Sequence, residues 1–146
     1  LLGSGDWEYE SFFKELAAAF PGKVGVRLGF IPDMARKIYA GSDMFLMPSK
    51  SEPCGLSQMV ALRYGSIPIV RETGGLKDTI TDSGDGQGNG FTFKSYDAYD
   101  MLDAIHRALA AYYDKKHWST LVTRALKCDN SWGRSAREYI KLYQSL

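Results

Sequence analysis

Cysteine is nearly missing from this sequence: Cys54 and Cys128 are the only two among 146 residues. They lie far apart and in no metal-ligand spacing, which argues against a disulfide-stapled scaffold or a zinc module and predicts two reduced thiols. An excess of one charge is missing too. Eighteen Lys and Arg face 17 Asp and Glu, a net charge of +1, so there is no electrostatic footprint for nucleic acid. No apolar run approaches the roughly 20 residues of a membrane span, and none has the form of a secretory leader. The two histidines, His106 and His117, fall on helical patterns with no metal-ligand partners nearby. They read as helix-surface or core residues. Repeats, low-complexity tracts and linkers are absent.

What is present has the balance of a globular protein, 45% hydrophobic and 24% charged, with length for one domain or a large part of one. The opening "LLGSGDWE" reads as the tail of a strand, a Gly turn and a helix. The expectation is a chain that begins inside a larger protein.

Short apolar runs alternate with amphipathic stretches. Leu1-Leu2 predicts a strand end. Phe12, Phe13, Leu16, Ala17 and Phe20 recur at helical spacing, and Pro21-Gly22 stops that helix. Val24, Val26, Leu28 and Phe30 alternate as a strand does. Asp33 is placed to cap a helix with Met34, Ile38 and Tyr39 inward, closed by Gly41. "DMFLMP" has the continuous apolarity of a buried parallel strand. Pro53 to Tyr64 predicts a helix with Leu56, Met59, Val60 and Arg63 along one side, stopped by Gly65. "SIPIV" is the next strand, "TGGLKDTI" a Gly turn and short helix, "DSGDGQGNG" a flexible loop and "FTF" a short strand. Three helices follow, from about Ala98 to Tyr113, Lys116 to Lys127 and Ser131 to Leu146, the last weakened by Gly133. The class is α/β: a Rossmann-like parallel sheet with helices on both faces. Ligands bind at the carboxyl ends of such strands. The loops Gly3 to Asp6, Phe30 to Asp33, Pro48 to Gly55 and Arg71 to Leu76 are therefore expected on one edge.

Chemistry concentrates at Glu52. A helix starting near Pro53, just after a strand, leaves its first N–H groups free, and with the helix dipole they favour an anion. Gly55 permits close approach to the backbone, and Ser57 adds a hydroxyl. A phosphate fits there. A carboxylate beside it repels the phosphate and suits sugar hydroxyls or developing positive charge instead. Two readings stand: a site for a phosphorylated or nucleotide-linked polyol, or an acid that merely caps or solvates a helix start.

"PSKSEPCGLSQMVALRYGSIPIVRETGGLKDT" resembles the signature of bacterial glycogen synthases and plant starch synthases, retaining glycosyltransferases of the GT-B fold. The resemblance extends to "LLGSGD", "FPGKVGVRLGF", "IYAGSDMFLMPS" and "SWGRSAREYIKLYQSL". It implies that residues 1–146 are most of a C-terminal nucleotide-sugar-binding domain, without its first strands and with C-terminal helices from about residue 98. It implies a donor, ADP-glucose, as substrate rather than cofactor, and an α-1,4-glucan acceptor extended at its non-reducing end. A UDP-glucose transferase with another acceptor and a non-catalytic nucleotide-binding module are the alternatives. No metal, membrane or nucleic acid is implied. The N-terminal domain of the same protein is the implied partner, and the implied location is cytoplasmic, or plastid for a plant. By resemblance Glu52 contacts the transferred glucose and supports the transition state. Cys54 and Gly55 meet sugar hydroxyls, and Leu56 and Ser57 bind the distal phosphate. Phe30, where the family commonly has tyrosine, stacks on the adenine, the other reading being a core ring at a strand end. Thr73, Gly74 and Gly75 form a turn near the same cleft. Val60 stands where many retaining relatives have a ribose-gripping glutamate. A phosphate-binding Arg and Lys are expected before Leu1, and a histidine and the acceptor surface in the N-terminal domain.

Other features point to structure. Asp85, Gln87, Asn89 and Gly90 imitate a calcium loop, but Tyr96 stands where the closing acid belongs. Trp118, Trp132, Tyr139 and Tyr143 sit at helical positions that suggest packing, with Tyr139 and Tyr143 completed in the full protein; Trp7 reads either way. Asp78 and Asp82 suggest a solvated helix face.

Overall fold

The computed structural model describes residues 1–146, and the chain divides into two compact units, Leu1–Ile38 and Tyr39–Leu146. In the first unit β1 (Leu2–Gly3) pairs in parallel with β2 (Arg27–Leu28). Between them runs α1 (Trp7–Ala19), ended by the turn at Pro21-Gly22, where Lys23 and Val24 N–H groups return to the Phe20 carbonyl. The strand expected from Val24 to Phe30 is therefore short. Its first residue, Val24, is spent closing the helix.

Helix α2 (Pro32–Gly41) spans the boundary between the units. Asp33 does not cap it. The Ala35 N–H already bonds Ile31 O, which makes Pro32 the first helical residue, a place suited to its fixed φ. Asp33 lies in the first turn and pairs with Arg36 at 2.6 Å. Ile38 is exposed rather than inward.

The second unit holds a parallel sheet in the order β3 (Met44–Met47), β4 (Ile67–Arg71), β5 (Phe91–Phe93). Ile67 to Val70 are buried, as a strand flanked on both sides must be. β3 is an edge of these three strands, and its Leu46 is 43% exposed, so "DMFLMP" is less enclosed than its apolarity predicts. The crossovers are α3 (Ser57–Tyr64) and α4 (Gly74–Thr79). Gly65 ends α3 with φ at +76°, its N–H on Ala61 and Leu62 carbonyls. The core gathers Leu62, Ile67, Ile69, Val70, Leu76, Ile80, Phe91 and Phe93 with Ala104 and Ala108 of α5 (Ala98–Tyr113) and Trp118, Leu121 and Ala125 of α6 (Lys115–Lys127). Trp118 packs as its helical position implied. α7 (Trp132–Gln144) buries nothing: Trp132 is 88% exposed, against the packing expected of it.

The segment 83–90 is pinned, not loose. Asn89 takes the Thr81 N–H at 2.8 Å and gives to Thr79 O at 3.0 Å, while Arg124 donates to Gly86 O. Asp82 lies beyond α4 and faces no solvent helix surface. It holds Arg107 Nη1 at 2.9 and 2.8 Å and takes N–H bonds from Thr92 at 2.7 Å and Gly84 at 2.8 Å. Burial pushes its carboxyl up, but the guanidinium and the two N–H groups outweigh that and hold it below the usual range.

Candidate active site

The parallel register ends β3 and β4 level, Met47 opposite Val70. The loops that follow leave the sheet on one edge and meet. The Gly75 N–H donates to Glu52 O at 3.2 Å. A Cβ on Gly74 would overlap the Glu52 carbonyl, and one on Gly75 would overlap the Cys54 carbonyl. Glycine is needed at both positions because backbone lies against backbone. Glu52, Cys54, Gly55, Thr73, Gly74 and Gly75 are thus brought together. In the first unit the residues after β1 and β2 likewise share an edge, Gly29 N–H reaching Gly3 O at 2.9 Å.

The helix after the acid starts at Ser57, not Pro53. Gly55 has φ at +73°, which no helix accommodates, so residues 53–56 form a tight loop. Leu56 precedes the first helical residue, and no side chain caps the start. The first backbone bond of the helix is Val60 N–H to Leu56 O at 3.0 Å. The N–H groups of Ser57, Gln58 and Met59 have no partner in the chain; Gln58 is buried, so those of Ser57 and Met59 are left open, next to the Ser57 hydroxyl. Leu56 is 69% exposed, available to a ligand rather than to the core. The buried side of α3 is Gln58, Ala61 and Leu62, while Leu56, Val60 and Arg63 lie outward.

Glu52 is half-buried, and its carboxylate makes no hydrogen bond or ion pair; only its backbone carbonyl is engaged. It caps nothing. Arg71, at the end of β4, donates to Lys50 O at 2.8 Å and lies 5.7 Å from the Tyr96 ring centre, steadying the loop from the other flank. Beside the loop runs a groove of about 920 Å³ lined by Cys54, Leu56, Met59, Cys128, Trp132 and Tyr139, among others. Both cysteines are free thiols. Phe30 is 92% exposed, which removes the reading of a core ring at a strand end.

The family model for glycosyl transferases group 1 matches residues 1–123. The chain belongs to the group 1 glycosyl transferases. It is 55% identical to a glycogen synthase of Geobacillus thermodenitrificans and 53% identical to one of Caldicellulosiruptor bescii, in each case over the whole of this chain. It spans 30% and 31% of those relatives' lengths. Among solved structures, the catalytic domain of Starch Synthase IV from Arabidopsis thaliana bound to ADP and acarbose matches with a TM-score of 0.84 at 40% identity, over 98% of this chain and 31% of that one. A sucrose-phosphate synthase of Thermosynechococcus elongatus shares the fold, with a TM-score of 0.66 at 20% identity over 99% of this chain and 37% of its own. The resemblance carried by "EPCGL", "ALRYG" and "TGGL" therefore extends over the whole segment, and the α/β class with parallel sheets is the one this glycosyl transferase family uses.

Gln58, Thr79 and Arg71 are site-supporting residues that the sequence reading passed over. The signal for Gln58 was present: it shares the helical face of Ala61 and Leu62, and a polar residue on a core face flags a buried amide.

Proposed function

We propose that the chain supplies the donor side of a retaining glucosyltransferase, in which glucose passes from ADP-glucose to the non-reducing end of an α-1,4-glucan. The observation that supports this best is the unpaired Glu52 carboxylate held by backbone beside an uncapped helix start. The open N–H groups of Ser57 and Met59 suit the distal phosphate, whose charge grows as the nucleoside diphosphate leaves. Glu52 suits the sugar, where positive charge develops at the reacting carbon. By the family resemblance Cys54 and Gly55 offer backbone to sugar hydroxyls, and the same resemblance assigns the base to Phe30, whose ring is uncovered. The solved starch synthase relative binds ADP, in keeping with an adenine nucleotide. The resemblance adds a front-side displacement, with the leaving phosphate accepting the acceptor's proton. A basic pair and the acceptor surface come from outside these residues, in a cytoplasmic or plastid protein.

The test is Glu52→Gln in the intact protein. It removes charge and keeps shape, so folding should survive. Because the contact strengthens in the transition state, turnover should fall by more than about 10²-fold while ADP-glucose affinity changes little. Turnover within a few-fold of the parent would remove Glu52 from this role. Competition between ADP-glucose and UDP-glucose settles the donor.

A further inference from the structure

Gln58 is fully buried. Its Nε2 donates to Gly55 O at 2.8 Å, Thr79 Oγ1 at 3.1 Å and Cys54 O at 3.3 Å. The Thr79 hydroxyl in turn donates to Gly75 O at 2.7 Å, so towards Gln58 it is an acceptor. Every neighbour of this nitrogen accepts, which fixes the amide's orientation. Its Oε1 has no partner. One buried side chain thus joins the loop after β3, the first turn of α3 and, through Thr79, the turn that opens α4. The bond from Gly75 N–H to Glu52 O closes the circuit.

This has a consequence for the backbone. In a trans peptide the C=O and the following N–H point in opposite directions. Holding Cys54 O and Gly55 O toward Gln58 turns the N–H groups of Gly55 and Leu56 away from it. Neither of these N–H groups meets an acceptor within the chain. Gly55 is buried, while Leu56, 69% exposed, adds its N–H to the open groups of Ser57 and Met59. A leucine would fill the same space without an orphaned oxygen, but it would leave both carbonyls free to rotate.

We infer that Gln58 is a positioning residue: it sets the Glu52–Leu56 loop so that the carboxylate and the Leu56 N–H face the donor sugar and its phosphate. The structural part stands on the hydrogen bonds; the effect on transfer rests on the function proposed above.

The experiment uses the intact protein with Gln58→Met, Gln58→Glu and Thr79→Val. Met keeps length and removes the donor. Glu keeps shape and sets a carboxylate against two carbonyl oxygens. Thr79→Val cuts only the outer link and keeps the test alive if position 58 tolerates no change. Amide exchange is read at Gly75 and across β4, beside kcat and KM for ADP-glucose. Expected for Gln58→Met is exchange at Gly75 about tenfold faster with β4 still protected. Its kcat should fall about tenfold or more, since small misplacements are costly, with KM within about threefold. Gln58→Glu should be worse than Met, and Thr79→Val milder. Unchanged Gly75 exchange and kcat in all three would overturn the inference, as would loss confined to overall melting. If the parent transfers no glucose from ADP-glucose, the functional reading fails, and exchange at Gly75 still decides the role of Gln58.

Discussion

Gly75→Ala isolates the contact between the two loops. The added methyl would overlap the Cys54 carbonyl and lie 2.6 Å from Cys54 Cα. Ordinary contact begins near 3.4 Å and the overlap with the carbonyl oxygen is deeper than that with Cα, so the two backbones must part by more than an ångström. Gly75 has no positive φ, so alanine brings no torsional strain and the effect is steric. Overpacking of this kind costs about 1–3 kcal/mol of stability. The same displacement moves Glu52 and Cys54, and a shift of about 1 Å at a reacting centre can lower turnover by about 10². Gly41→Ala is the control, because a Cβ there meets nothing within 4 Å. Initial rates with saturating ADP-glucose and glucan, beside thermal melting, give the comparison in the intact protein. Gly75→Ala should lose turnover far beyond its loss of stability, and Gly41→Ala should lose neither. A Gly75→Ala protein with turnover within twofold of the parent would show that the loop contact does not set the position of Glu52.

Phe30→Ala should weaken donor binding by about 1–3 kcal/mol, the usual worth of a base stacked on a ring. Titration with ADP reads this, and a bound nucleotide with its base away from residue 30 would refute it. Asp82→Asn should lower stability at neutral pH by about 1–2 kcal/mol, discounted for partial exposure of its ion pair. The Asp82 carboxyl is held below its ordinary value, so its contribution is complete above the unfolded value near 3.9 and fades as pH falls through the lower folded value. The melting gap between parent and Asp82→Asn should therefore close in acid; a gap that stays constant across that range would refute the assignment. Residues 1–146 expressed alone should elongate no glucan, because the resemblance puts a basic pair and the acceptor surface elsewhere. Incorporation of labelled glucose above a Glu52→Ala control would contradict that.

The elements most legible in the sequence were those fixed by local chemistry. Gly65 ends α3 where its left-handed φ allows, Pro21-Gly22 ends α1, and the alternation of strands and helices yields parallel sheets. Errors arose where a distant partner decides. Pro53 looked like a helix start, yet the left-handed Gly55, with the Gln58 amide against it, holds residues 53–56 outside the helix. Asp82 looked like a solvated acid because Arg107, its partner, is on a helix well downstream. The loop 83–90 looked flexible because the Arg124 that pins it lies on α6. Trp132 looked like core because helical spacing reports a face and not what covers it.

The geometry at Glu52 follows from the same division between near and distant causes. No bond holds the Glu52 carboxylate itself, while Gln58 and Thr79 tie the backbone of the loop and of the turn facing it. A level register carries two loops to one edge, and two adjacent glycines let the turn at 74–75 press its backbone onto the loop at 52–54. A larger residue at either glycine would need the acid's own carbonyl or that of Cys54 to move. Because backbone contacts and the buried Gln58 do the holding, the Glu52 side chain is left with no partner in the protein. An acid that had to be held by its own carboxylate would have to give up that bond to meet a sugar. Here the acid is placed first and its hydrogen-bonding capacity is kept for the ligand, the arrangement that preorganised electrostatic stabilisation requires.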